Sequence, residues 1–237
     1  MSRTVLILFA ISVVFGQTGK SWLEWNMKET TKILNDSAWA ETQLETKQAD
    51  SSSAAITNTG SSRNMVPRDA SKDAPGAITS YIKYYIRLLS AKPVRQAVVR
   101  KLMLDTPDMD EERKKQLKTF ADAPTSDFIV VAVVAEAKDR SMGAEASEAF
   151  KVATLESLKE STYLERADGQ RVLLADFRAP VADGLGAKFV FPRTLNNEPF
   201  LAPGSGQLKF HSELSKKIKL EARYKVSDMM YDGRLEY

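Results

Sequence analysis

From Lys217 to Val226 apolar and charged residues alternate without a break. Ile218, Leu220, Ala222, Tyr224 and Val226 fall on one side, and Lys217, Lys219, Glu221, Arg223 and Lys225 on the other. Side chains alternate across a strand, so this segment must lie with one face on a core and one in water. That demands an antiparallel sheet, and the rest of the chain is read around it.

Other segments carry the same signal. Ser80–Leu89 alternates, with Ile82, Tyr84, Ile86 and Leu88 on one side, and reads as a strand. Phe128 to Ala135 is apolar without alternation, which predicts a central strand covered on both faces. The last third is a succession of short strands. Ala167-Asp168-Gly169-Gln170, Asn196-Asn197 and Asp232-Gly233 are its turn signals. Three helices punctuate the strands. Ser90 is placed to cap the first, which runs to about Met103 with Pro93 in its first turn. Thr106-Pro107 opens the second. The third spans about 145–161, with Ala146, Phe150, Ala153 and Leu158 toward the sheet. The expected fold class is α+β: an antiparallel sheet with helices packed on one face, over residues 77–237.

The first 76 residues read differently. Thr4 to Phe15 is uncharged and almost wholly apolar, preceded by Arg3 and followed by small Gly16. That is the pattern of a signal peptide over 1–16. It is too short to span a bilayer. The competing readings are a buried first strand and a phosphate-binding loop ending in Gly19-Lys20-Ser21. The loop needs its first glycine at position 14, where Val14 stands. Residues 17–39 read as a short helix flanked by Trp22, Trp25 and Trp39, with Asn26 and Glu29 at capping-box spacing. These tryptophans either pack on the main domain or present a binding surface. Residues 40–76 are rich in Ser, Ala, Thr and Asn with few large apolar groups, and read as a disordered linker.

Charge and composition exclude several function classes. Removing 1–16 leaves 221 of the 237 residues and takes one cation from a net charge of +3. So small a net charge gives no reason to expect nucleic acid. Cys is absent, so neither disulfides nor thiol chemistry are open to the chain. His211 is the single histidine and reads as a surface residue, because no G-x-S-x-G motif supplies a nucleophile for it. Asp105, Asp108, Asp110, Glu111 and Glu112 lack the alternation and glycine of a calcium loop, and read as helix-start acids. Arg87, Lys92, Arg95, Arg100 and Lys101 form one basic surface and Lys216–Lys225 a second; each reads as a solvated face or a polyanion site.

KSWLEWNMKETTKILNDSAWAETQ, IRLLSAKPVRQAVVR, DGLGAKFVFPR and ARYKVSDMMYDGRLEY resemble segments of a group of uncharacterised exported bacterial proteins. That resemblance implies export and one architecture, and carries no activity with it. No catalytic, cofactor-binding or metal-ligating residue is nominated. The expectation is an exported protein, periplasmic, envelope-associated or secreted, acting as a non-catalytic binding or structural module. Its partner would be an envelope protein or a polysaccharide, with no nucleic acid and no transmembrane span. The alternatives are an exported hydrolase built on acids that meet only in the fold, and a polyanion-binding module.

Overall fold

The computed structural model describes residues 20–47, 80–124 and 126–237. The expected signal at 1–16 and most of the expected linker lie outside the described residues.

The fold is α+β with antiparallel strands throughout. After a single 3-10 turn at Trp22–Glu24 come α1 (Met27–Asn35), β1 (Ala40–Lys47), β2 (Ser80–Leu88), α2 (Lys92–Asp105), α3 (Glu111–Ala121) and β3 (Phe128–Ala137). Next are α4 (Arg140–Val152), a one-turn α5 (Leu155–Leu158), β4 (Thr162–Arg166), β5 (Arg171–Leu173), β6 (Asp176–Arg178) and β7 (Ala187–Pro192). The ribbon β8 (Thr194–Leu195) and β9 (Glu198–Pro199) precedes β10 (Gln207–Glu213) and β11 (Lys219–Lys225). A second ribbon, β12 (Met230–Tyr231) and β13 (Arg234–Leu235), closes the described chain.

The strands divide between two sheets, of order β1-β2-β3-β7-β6 and β11-β10-β4-β5. Alternation in the sequence tells which side of a strand is buried but not which sheet it joins. The two apolar faces meet. Phe210 on β10 packs edge-on against Phe189 and Phe191 of β7, with ring centroids 5.4 and 6.2 Å apart. Tyr224 of β11 is buried and donates its hydroxyl to the Ile86 carbonyl at 3.2 Å, so its one polar atom is satisfied inside the core. Each such fully buried side chain contributes about 1.5–3 kcal/mol.

The sheets are joined along both long edges. On one, the chain crosses directly from β5 to β6, with Ala175 N–H bonded to the Val190 carbonyl at 2.8 Å. On the other, β1 faces β11 and side chains stand in for a missing strand. Glu41 accepts from the Arg223 N–H (2.5 Å) and Gln43 accepts from the Glu221 N–H (2.9 Å). Gln43 also donates to the Lys219 carbonyl at 2.7 Å. Register puts Glu41, Gln43 and Glu45 beside Ile86, Tyr84 and Ile82, on the inward face.

This corrects the start of the linker expected at 40–76: residues 40–47 are a strand paired with β2 over its full length. Its inward positions carry polar side chains because they meet backbone, not core, which removes the apolar alternation that marks other strands. Of the segment expected at 17–39, the described residues 20–39 are likewise packed on the sheet. Asn26 and Glu29 form the expected capping box. Trp25 is buried, and Trp39 donates to the Glu236 carbonyl at 2.8 Å while meeting Tyr231 edge-on.

Helix boundaries differ from expectation where another partner competes. Ser90 does not cap α2; its hydroxyl accepts from Val130 N–H at 3.0 Å, tying the β2–α2 corner to β3. α3 starts at Glu111, capped by Asp110, not at Thr106-Pro107. The helix expected over 145–161 begins earlier, at Arg140, and breaks at Ala153-Thr154, where Thr154 and Ser157 form a new capping box. α4 closes one end of the sandwich. Its Gly143 lies against Ala137 of β3, and Glu145 is paired with Lys217 on the β10–β11 turn at 2.8 Å.

Candidate functional site

The arginines of the basic surface expected over 87–101 are turned toward the protein. Arg87 donates to the Leu34 carbonyl (2.7 Å) and Asn35 Oδ1 (3.0 Å), holding the end of α1 on β2. Arg95 is buried and donates to the Ser90 and Ala123 carbonyls; Arg100 donates to the Trp25 carbonyl at 2.6 Å. Lys92 pairs with Asp232 and Lys101 with Asp105. The guanidinium groups serve as multi-donor caps for helix ends and loop carbonyls. Burial lowers the Arg87 pKa to about 10, which still leaves it cationic at neutral pH. Only a cluster of cations on and just before one helix was visible in the sequence; the receiving carbonyls belong to other segments.

The second basic face is largely paired on the surface. Lys217, Lys219 and Lys225 bond Glu145, Glu213 and Asp228 at 2.8, 2.7 and 3.0 Å. Exposed pairs like these contribute little to stability. They do neutralise these three lysines.

His211 sits on the outer face of the second sheet, as its strand position predicts, yet its side chain is only 15% exposed. Tyr163 stacks on it with centroids 5.0 Å apart, and Arg171 lies 4.1 Å over the far side of Tyr163. Its Nδ1 is 3.0 Å from Glu221 Oε1, and this bond, with Lys209 behind it, holds the Glu221 carboxyl below its ordinary range. An acid beside His211 is what the hydrolase reading requires. The stack lies on an open sheet face, however, and Ser212 next to His211 points to the other side, where it bonds Thr162.

The acidic run at 105–112 is spent on its own helix. Asp110 caps α3, and Glu111 pairs with Lys114 at 2.7 Å. Among the described residues no group of three or more His, Asp or Glu is arranged to hold a metal ion. Gly204-Ser205-Gly206 is a turn in which Ser205 accepts from the Ala202 N–H.

Two hollows remain. The larger, of about 540 Å³, opens at the seam between the sheets. The α1–β1 turn (Asn35, Asp36, Ser37), β1 (Ala40, Glu41, Thr42), β2 (Lys83, Tyr85) and Arg223 of β11 line it. Asn35 and Ser37 are fixed by bonds to Arg87 and to the Ile33 carbonyl, so the rim is rigid. Glu41 is committed to the Arg223 backbone. Lys83 and Arg223 form no ion pair among the described residues; Lys83 lies 5.4 Å from the Tyr81 ring. Nothing in the sequence brought Lys83 and Arg223 together, since they stand 140 positions apart on different sheets. The smaller hollow, of about 290 Å³, is an apolar slot between β3, α4 and the 180–186 loop.

Burial pushes the Glu45 carboxyl up, against a hydrogen bond from Gln43 that lowers it, and the negative charge of Glu145 adds to the rise. Among the described residues no helix is long and apolar enough to cross a membrane. No family model matches the chain, and neither the curated proteins nor the solved structures contain a match to it.

Proposed function

We propose that this chain is an exported, non-catalytic binding module that holds an anionic, hydroxyl-bearing ligand, such as an acidic envelope polysaccharide, in the hollow at the sheet seam. The observation that carries this is the contrast between the hollow and the basic residues on either side of it. Arg87, Lys92, Arg95, Arg100 and Lys101, and Lys217, Lys219 and Lys225, are engaged by carbonyls and carboxylates, whereas Lys83 and Arg223 face one open space beside Tyr85, Thr42 and Asn35. Ammonium and guanidinium groups favour carboxylates and phosphates. Hydroxyl and amide groups around them suit a sugar. Export rests on the uncharged apolar stretch from Thr4 to Phe15 and on the resemblance to exported bacterial proteins.

Calorimetric titration of the full chain with an oligogalacturonate and with a neutral oligoglucan tests the binding. The acid oligomer binds saturably, more weakly as salt rises, and Lys83→Gln with Arg223→Gln abolishes it. Equal binding of both oligomers, or retention in the double variant, removes the hollow from the account. The first residue of protein recovered from cells tests export, with Gln17 expected.

A hydrolase is the second reading, favoured by the Glu45 carboxyl on the inward face of β1, which burial pushes up. It requires turnover in a glycosidase and esterase screen that Glu45→Gln eliminates.

A further inference from the structure

The side chains around the larger hollow divide into spent and unspent groups. Ser37 donates to the Ile33 carbonyl and Thr42 to the Asn35 carbonyl, each at 2.8 Å. Tyr85 donates its hydroxyl to Glu136 at 3.1 Å. Asn35 Oδ1 accepts from Arg87. A guanidinium can only donate, so the Asn35 amide N–H groups are turned away from it. They meet no acceptor among the described residues.

Four charges also line the hollow: Lys83 and Arg223 are positive, Asp36 and Glu41 negative. They sum to zero, yet no two of them form an ion pair among the described residues. Their neighbours do pair. On the outer face of β11, Lys219 bonds Glu213, Lys225 bonds Asp228, and Glu221 is shared by His211 and Lys209. Arg223 stands among them and bonds no carboxylate among the described residues. On β2, Lys83 is opposite Glu136, which Tyr85 has taken. Glu41 is turned to the Arg223 N–H. Asp36 ends α1 with its side chain exposed and unpartnered among the described residues. Backbone bonds keep these groups apart: Asp36 N–H is tied to the Lys32 carbonyl at 2.8 Å, and β1 is paired with β2.

We infer that the ligand of the hollow is zwitterionic: its acidic group lies between Lys83 and Arg223, and an adjacent ammonium group is taken by Asp36. This rests on the reading of the hollow as the binding site. It narrows the ligand from acidic glycans at large to those with an unacetylated amino sugar next to a uronate. A purely anionic ligand meets Asp36 as a like charge in the same space, which costs binding. An ammonium beside the acid turns that repulsion into a charge-assisted hydrogen bond. Glu41 is already committed, so Asp36 is the residue that sets this specificity.

Calorimetric titration of the full chain at about pH 6, where the amine is protonated, tests the inference. The ligands are a glucosamine–glucuronate disaccharide with its amine free, the same disaccharide N-acetylated, and the oligogalacturonate. The free amine should bind about tenfold more tightly than the N-acetylated form, the effect of one charge-assisted hydrogen bond. Asp36→Asn should erase that difference. It should leave affinity for the oligogalacturonate equal or higher, which also shows that the variant is folded. Equal binding of the two disaccharides by the unaltered chain overturns the inference, as does a preference that survives Asp36→Asn. So does weaker oligogalacturonate binding in that variant, which would make Asp36 an acceptor for sugar hydroxyls. In each of these cases retained oligogalacturonate binding by the unaltered chain leaves the hollow in place as an anion site. Failure of all three ligands to bind overturns both readings.

Discussion

Gly186→Ala measures how tightly the first sheet is closed where β7 begins. Gly186 has φ +77°, and a Cβ built there falls 2.1 Å from the Val133 carbonyl oxygen and 2.7 Å from its carbonyl carbon. Both are backbone atoms at the last pair of the β3–β7 ladder, so no side chain can rotate away. The positive φ alone costs about 1–2 kcal/mol. Relieving the overlap means parting Val133 from Ala187 and losing their two hydrogen bonds, about 1 kcal/mol each. The total is about 3–4 kcal/mol, a large share of the stability of an ordinary domain. For a domain of this size that corresponds to a fall in Tm of about 6–16 °C. Gly184→Ala is the control, because Gly184 has φ +72° and a Cβ there meets nothing within 4 Å. It should show the conformational cost alone, about 1–2 kcal/mol. Thermal and urea unfolding followed by circular dichroism separates the two. If both variants melt together, the close approach of Gly186 to Val133 does not constrain the fold.

Three further perturbations follow from other parts of the fold. Thr162 and Ser212 are fully buried and share one hydrogen bond of 2.8 Å, so Thr162→Val should cost about 1–3 kcal/mol by orphaning the Ser212 hydroxyl. The double variant Thr162→Val/Ser212→Ala should recover most of that loss in urea unfolding, and no recovery would refute the pairing. Asp139 caps α4, and hydrogen bonds from Ser141, the Met142 N–H and Ser80 lower its carboxyl to about 2. Its contribution is therefore complete above the unfolded value near 3.8 and is lost as pH falls toward 2. Asp139→Asn should flatten the dependence of Tm on pH between 4 and 2, and parallel curves would contradict this. Finally, a protease site inserted within residues 48–79 should yield two fragments that co-elute after cleavage. β1 pairs with β2 through eight positions, and Trp25 and Leu34 are buried on the N-terminal piece. Release of that piece without denaturant would show that its docking is weak.

Where a residue's partner lies within a turn of helix or across a tight hairpin, its sequence neighbourhood was enough. The capping box of Asn26 and Glu29 formed as spaced. Asn196 and Asn197, at φ 54° and 67°, and Asp232 and Gly233, at φ 50° and 74°, adopt the left-handed pairs that two-residue hairpins need. Within the alternating stretch 217–226, Lys219–Lys225 is β11, and Ile218, Leu220, Ala222, Tyr224 and Val226 are all buried. These features are local, because backbone geometry and a period of two decide them.

What the sequence concealed depends on groups that water would otherwise satisfy. Arg95 and Arg100, with Arg87 on the strand before them, look like any basic surface, because nothing nearby shows that the Leu34, Ser90, Ala123 and Trp25 carbonyls need donors. β1 looks like linker for the mirror-image reason. Glu41 and Gln43 are inward-facing polar residues, which in an ordinary strand would each cost about 1–3 kcal/mol unpaired. Here the open edge of β11 supplies backbone partners for both. An exposed edge invites pairing with other chains, and proteins block it by covering or charging it. Among the described residues the β11 edge is closed by side chains from β1. The polar residues that made 40–47 read as linker are thus the ones that protect this edge with the chain's own groups.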